Sequence, residues 1–240
     1  MLTMDFDRLG LRPGHRMLDV GCGAGRHAFE AYRRGADVVA LDRNAAELDG
    51  VATMFAAMAE AGEAPPDTSA VALVGDALAL DFPDATFDCV IAAEVLEHIV
   101  EDDKAMWELA RVVKPGGIVA VSVPRWLPER ICWALSDAYH EVEGGHVRIY
   151  RADELVAKLR DTGLRPVHRH HAHALHAPYW WLKCVVSDEN PLVRAYHRFL
   201  VWDLMRRPWL TRTAERLLDP LIGKSVVVYL EKPAVVDDAA

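Results

Sequence analysis

Glu94, Glu97 and His98 fall within five residues, Glu94-Val95-Leu96-Glu97-His98. In a helical turn the spacing i, i+3, i+4 puts all three on one face. Two carboxylates held that close repel unless a cation joins them. Carboxylate oxygens with an imidazole suit a divalent ion such as Mg2+ or Mn2+, and an ion so held orients an alcohol and lowers its pKa. Polar residues at these places can also cap the helix or orient its loop. Further on, His140 and His146 are candidate general bases, since imidazole titrates near neutral pH. Either could instead satisfy a backbone carbonyl. His168, His170, His171, His173 and His176 form a denser run with no cysteine or acid within it. Strand alternation divides this run between two faces. A strand end with one or two residues facing a substrate is expected there, not a metal centre.

A second group of residues is suited to holding a ligand. Asp19-Val20-Gly21-Cys22-Gly23-Ala24-Gly25 lies between a strand signal and a helix signal. Its glycines allow a tight turn and close backbone approach. The third glycine comes one residue too early for a dinucleotide fingerprint, and no phosphate-loop lysine follows. The ligand expected here carries no pyrophosphate. Asp42 ends the next strand, where a carboxylate can accept both hydroxyls of a ribose, and Asp76 ends the one after. Ala77 offers a backbone N–H to a purine. Acids at three successive strand ends, the edge where open α/β sheets bind ligands, suit a molecule with a ribose and a positive charge.

Alternating elements must position these residues. Strands are expected at Met17–Val20, Asp37–Leu41, Ala70–Val74, Phe87–Ala92 and Ile118–Val123, with helices at Arg26–Arg34, from Asn44 to about Ala61, and from Asp102 to Val113. Lys114-Pro115-Gly116-Gly117 is expected as a turn. Such alternation implies parallel pairing. The later part predicts a helix over Asp153–Thr162, a sixth strand at Arg165–His171 and a seventh at Ser225–Glu231. With 240 residues and 52% apolar composition, the chain can build a sizeable core. Net charge is −9, which argues against a nucleic-acid partner. Four scattered cysteines without a CxxC pair predict no disulfide framework and a reducing, cytoplasmic setting. Residues 1–14 do not resemble a signal peptide, and no apolar run is long enough to span a bilayer.

Taken together, Asp19–Gly25, Asp42 with Arg43, Gly75-Asp76-Ala77, Phe87–Glu94 and Leu109–Val123 resemble the successive motifs of class I S-adenosylmethionine-dependent methyltransferases. The resemblance covers about residues 10–165. It implies a Rossmann-like α/β fold with a seven-stranded sheet whose last strand is antiparallel, with aromatic helical insertions after strands 5 and 6. It also implies S-adenosylmethionine as cofactor: Gly21, Cys22 and Gly23 approach the methionine part, Asp19 supports its ammonium, Asp42 holds the ribose and Asp76 the adenine amine. Ala93 and Glu94 would lie beside the sulfonium. Glu-x-x-Glu-His is similar to the pattern of metal-dependent members, which take a further histidine from the segment after the fifth strand. His146 matches that histidine, so Glu94, Glu97, His98 and His146 form the implied metal set, with His98, His140 and His146 as candidate catalytic residues.

The acceptor is constrained by what is missing. The Asn/Asp-Pro-Pro-aromatic loop of base N-methylation does not occur, since Pro65-Pro66 is followed by Asp67. A Pro-Cys nucleophile is also lacking. A hydroxyl on a sugar or oligosaccharide is the expected acceptor, with an amphiphilic phenol, quinone precursor or lipid as alternative and a non-catalytic cofactor-binding module as a further one. Residues 1–240 are expected to form one domain, with insertions at about 124–150 and 172–224 as its substrate lid. These are rich in Trp and Tyr, which stack on sugar rings or serve as core or homodimer contacts. The runs Pro124–Arg130 and Ala172–Trp181 also look like those of actinobacterial sugar 1-O-methyltransferases, which implies a partly methylated mannoside. Residues 194–216 carry six arginines against Asp203 and Glu215, interleaved with aromatics. The stretch suits peripheral membrane contact or, the favoured expectation, a helix packed on the sheet with its arginines outward.

Overall fold

The computed structural model describes residues 2–139, 141 and 144–234; His140 and Glu143 lie outside them. Seven strands and eight α-helices follow in the order β1 (Arg16–Val20), α1 (Arg26–Arg33), β2 (Asp37–Asp42), α2 (Ala45–Glu60), β3 (Ala70–Val74), β4 (Phe87–Ala93), α3 (Asp102–Val112), β5 (Val113–Pro124), α4 (Trp126–Leu135), α5 (Ala152–Asp161), β6 (Arg165–Ala172), α6 (Ala177–Val185), α7 (Pro191–Arg206), α8 (Trp209–Ile222) and β7 (Ser225–Glu231). The sheet order is β3-β2-β1-β4-β5-β7-β6. Strands β1 to β5 pair in parallel, and β7 runs antiparallel to both of its neighbours. The expected seven-stranded α/β sheet with an antiparallel last strand is what forms.

Strand alternation supplies two cores. Leu18, Val20, Val90 and Ala92 face one side with Leu109 of α3 and Leu155 of α5. Met17, Cys89 and Ile91 face the other with Ala28 of α1 and Phe55 of α2. Helix α2 starts where Asn44 accepts a hydrogen bond from the amide of Ala46 at 3.1 Å, a side-chain cap worth about 1 kcal/mol. The Lys114–Gly117 run does not form a free turn. It belongs to β5, where the register against β4 shifts between Phe87 and Cys89. Gly116 takes up the irregularity at φ 78°, and a Cβ on Gly117 would meet Asp88 O at 2.7 Å.

All four cysteines are free. Among the described residues, no helix is long and apolar enough to cross a membrane.

Candidate functional site

The glycine loop is fastened to the second strand. The amides of Gly21 and Cys22 donate to Leu41 O at 2.8 and 3.0 Å, and that of Gly23 to Asp42 Oδ2 at 2.9 Å. Gly21 adopts φ 66°, and a Cβ there would lie 2.5 Å from Val95 Cγ2, so only glycine fits. Asp42 Oδ1 accepts from Asn44 N and Asp76 Oδ1 from Leu78 N, both at 2.9 Å. Arg43 reaches Asp76 at 4.0 Å. A cleft of about 440 Å³ runs along these strand ends, bordered by Gly21, Asp42, Arg43, Gly75, Asp76 and Ala77. It continues past Gly23, Cys22 and Ala93. The sequence-predicted cofactor residues therefore border one cleft, except Asp19. That residue is fully buried and holds the start of α1, accepting from Ala28 N at 3.1 Å. Its Oδ1 is buried without a partner, and burial pushes its carboxyl up to about 7.

A second cavity of about 700 Å³ adjoins the cleft. Glu94 and His98 line both, and His146, Tyr139, Trp180 and Lys224 line its far wall. Glu94 departs from expectation. The only helical turn in its motif is the 3-10 turn Leu96–His98, and Glu94 precedes it in a left-handed conformation, φ 59°. It is aimed away, with Ser122 Oγ donating to its Oε1 at 2.8 Å. The expected set of four is thus reduced: Glu97, His98 and His146 gather with one ligand atom each, all within 4.8 Å of one another, and Glu94 is outside the group.

One backbone contact and one side-chain contact set the imidazoles. His98 Nδ1 lies 2.7 Å from Gly144 O, and a carbonyl only accepts, so Nδ1 carries the proton and Nε2 keeps a lone pair. His146 Nδ1 lies 2.6 Å from Glu129 Oε1, which fixes the same tautomer. Glu129, in α4, is 1% exposed and also accepts from Trp133 Nε1 at 3.1 Å and Tyr139 Oη at 3.2 Å. Burial alone would raise its carboxyl, but the His146 hydrogen bond and the Lys224 charge hold it below the usual range. Glu129 therefore stays ionised behind His146. The loop bearing His146 is tied down by Val147 N donating to Glu97 O at 2.9 Å and by Arg148 pairing with the buried Asp102.

Glu97 is fully buried, and neither carboxylate oxygen has a hydrogen-bond partner. Burial and the nearby charge of Glu94 push its carboxyl well up. An orphaned carboxyl group within 4.8 Å of a ring nitrogen of each imidazole fits a divalent cation, and a carboxylate behind one of the imidazoles is what orients a metal-binding histidine. Sequence reasoning missed Glu129. Its spacing to Trp133, one helical turn on, is the only local trace, and it says nothing of His146. His140 lies outside the described residues.

The histidine run sits elsewhere, and none of it borders the second cavity. His168 and His170 stack on Tyr229. His173 and His176 are joined by an acid after all, Glu215 of α8. The cation in that group is Arg212, which pairs with both Glu215 and Asp203. The aromatic insertions do meet at the cavity: Lys183 and Lys224 Nζ lie 5.3 and 5.4 Å from the Trp180 ring centre, and Trp181 Nε1 donates to Pro128 O at 3.1 Å. In segment 194–216, helix α8 packs against the edge strand β6 and Arg194, Arg198, Arg206, Arg207 and Arg216 are exposed, as expected, but much of the segment's apolar surface faces outward as well.

Comparison with known proteins bears on the family and the fold. Residues 18–121 match the family described as methyltransferase domain. The chain is similar to 27-O-demethylrifamycin SV methyltransferase of Amycolatopsis mediterranei (strain S699), 34% identical over 159 residues, or 66% of this chain and 57% of that protein. It is also similar to sterol 24-C-methyltransferase of Yarrowia lipolytica (strain CLIB 122 / E 150), 32% identical over 140 residues, or 58% of this chain and 33% of that protein. The chain thus spans between a third and somewhat over half the length of these relatives. Among solved structures, the [4+2]-cyclase SpnF superposes with a TM-score of 0.62 at 22% identity, covering 95% of this chain and 79% of that one. At that identity the likeness is one of fold, and the fold also carries a reaction other than methyl transfer.

Proposed function

From the premise that this chain belongs to the class I S-adenosylmethionine-dependent methyltransferase family, we propose that it transfers the sulfonium methyl group to a hydroxyl of an acceptor held in the second cavity, with His146 as general base. The observation that carries this is the Glu129–His146 pair, 2.6 Å apart, on the wall of a cavity that adjoins the cofactor cleft at Glu94 and His98.

Methyl transfer is an in-line displacement. The acceptor oxygen forms a bond to the methyl carbon, the carbon–sulfur bond breaks, and sulfur keeps the electron pair as a neutral thioether. The sulfonium is already activated, so the chain's work is positioning and removal of the hydroxyl proton. His146 Nε2 accepts that proton, and the ionised Glu129 stabilises the imidazolium through Nδ1–H. Segments 124–150 and 172–224 form the lid over the acceptor. The lining of Ser136, Tyr139, Lys183, Asp188 and Lys224 supplies donors and acceptors for a sugar-like hydroxylated group. A bulkier amphiphilic acceptor is a second reading, supported by similarity to an enzyme named for a sterol.

Glu97, His98 and His146 would hold a divalent metal, which when bound would supply Lewis acidity toward the acceptor hydroxyl. Two imidazoles with one carboxylate favour Mn2+ over Mg2+. The His146 Nε2 lone pair cannot serve both as base and as ligand, and chelation separates the two roles. The test is conversion of S-adenosylmethionine with a panel of sugars and amphiphilic phenols, run in EDTA and again with added Mn2+. Product formed fully in EDTA and lost in His146→Ala assigns the base. Activity lost in EDTA and restored by Mn2+ assigns the ligand. Tight cofactor binding with no turnover on any hydroxyl would overturn the enzyme reading in favour of a cofactor-binding module.

A further inference from the structure

Helices α7 and α8 leave much of their apolar surface unpacked. Their inward side mixes Val193 and Leu200 with Asp203, Thr211 and Glu215, all buried, and Arg212 pairs with both Asp203 and Glu215. Their outward side is apolar. Trp209 is 77% exposed, Met205 75%, Leu217 70% and Leu221 65%, with Trp202 and Leu210 also exposed. The turn between the helices, Arg207-Pro208, places Arg207 in a left-handed conformation, and with Arg206 at the end of α7 it sets two arginines between Met205 and Trp209.

Charge follows the same division. The two acids of segment 194–216 are turned inward with Arg212, whereas Arg194, Arg198, Arg206, Arg207 and Arg216 are exposed. Among the described residues none of these five has an ion-pair partner within 4.0 Å. A chain with net charge −9 thus carries five exposed arginines within one segment, and the same helices expose Trp202, Met205, Trp209, Leu210, Leu217 and Leu221. Exposed apolar patches of this kind mark an interaction site. Arginine beside tryptophan is the chemistry of an anionic headgroup region, where the ring enters the boundary and the guanidinium meets phosphate.

We propose that the α7–α8 hairpin docks this protein on an anionic lipid bilayer, with Met205, Trp209 and Leu210 entering the interface and the five arginines on the headgroups. Charge complementarity selects the bilayer over a second copy of the chain, since a symmetric dimer would set the arginine faces against each other. The hairpin stands close to the acceptor cavity: Lys183 and Asp188 line both that cavity and the groove at the foot of α7 containing Arg194 and Arg198. Docking would therefore bring the cavity mouth to the lipid surface. This inference is independent of the proposed chemistry.

The experiment is co-sedimentation of the full chain with vesicles of phosphatidylcholine alone or with 30 mol% phosphatidylglycerol (about one lipid in three, enough for a negative surface). The chain is expected to partition to the anionic vesicles and to be released by raised salt. Arg206→Gln with Arg207→Gln should weaken partition about thirtyfold, about fivefold for each surface arginine, and Trp209→Ser should weaken it without changing the salt dependence. Binding of S-adenosylhomocysteine, measured on the same variants, should stay at the wild-type value, which excludes misfolding. Equal partition to neutral and anionic vesicles, or none, would overturn the proposal. So would a wild-type dimer in sedimentation velocity that Trp209→Ser dissociates. Failure to find an acceptor would leave this result untouched, and failure to bind vesicles would leave the role of His146 untouched.

Discussion

Replacing Glu129 by Gln tests the catalytic reading at its narrowest point. The side chain keeps its shape and loses its charge, and the hydrogen bond at stake is the 2.6 Å contact to His146 Nδ1. A hydrogen bond to a charged group is worth about 1.5–3 kcal/mol. Each 1.36 kcal/mol is tenfold in rate, so kcat should fall by about 10- to 150-fold. Loss of the whole general base sets the ceiling at about 10²–10⁴. Glu129 does not border the cofactor cleft, so the affinity for S-adenosylhomocysteine, read by calorimetry, should not change. Because Glu129 acts through His146, the double variant Glu129→Gln/His146→Ala should be no slower than His146→Ala alone. A kcat within threefold of wild type would refute the reasoning, as would losses that multiply in the double variant.

Asp19 makes stability depend on pH. In the folded chain its proton is held up to about pH 7, whereas the unfolded chain loses it near 4, so the folded state binds the extra proton between these values and stability falls as pH rises through that window. Asp19→Asn should therefore raise the unfolding free energy increasingly from pH 4 to 7, by up to about 4 kcal/mol at pH 8, read by denaturant unfolding at each pH; a difference that does not vary with pH would contradict this. Gly21→Ala combines a left-handed backbone, costing about 1–2 kcal/mol, with a clash against Val95. It should lower cofactor affinity at least tenfold in calorimetry, and wild-type affinity would remove the loop from the cofactor site.

What could be read from the sequence was local. The strand and helix alternation up to Val123 rests on short-range periodicity, and Ser225–Glu231 was bounded by its own β-branched run. Asp42 and Asp76 were legible because strand ends of an open sheet share one edge. Two kinds of feature were not. Glu129 reaches His146 across 17 residues, and Glu215 reaches His173 and His176 from another helix; neither contact has a periodic signature. Backbone choices were also hidden. The spacing of Glu94, Glu97 and His98 suggested one helical turn, but the left-handed Glu94 breaks it and sends the first acid to Ser122. For α7 and α8, the pattern gave amphipathic helices but not which side would face the protein, because buried Asp203 and Glu215 obtain a counter-ion from Arg212.

Glu94 borders the cleft along the strand ends, its extension past the glycine loop and the second cavity alike. A carboxylate at that junction would sense the change of charge that methylation produces. On the proposed function, it would stand near a cationic donor before transfer; afterwards the spent donor would be neutral and that attraction gone. Turnover would thus loosen the hold on the by-product while leaving the grip on fresh donor intact, a bias toward release built from one side chain and measurable as a ratio of two dissociation constants that collapses in Glu94→Gln.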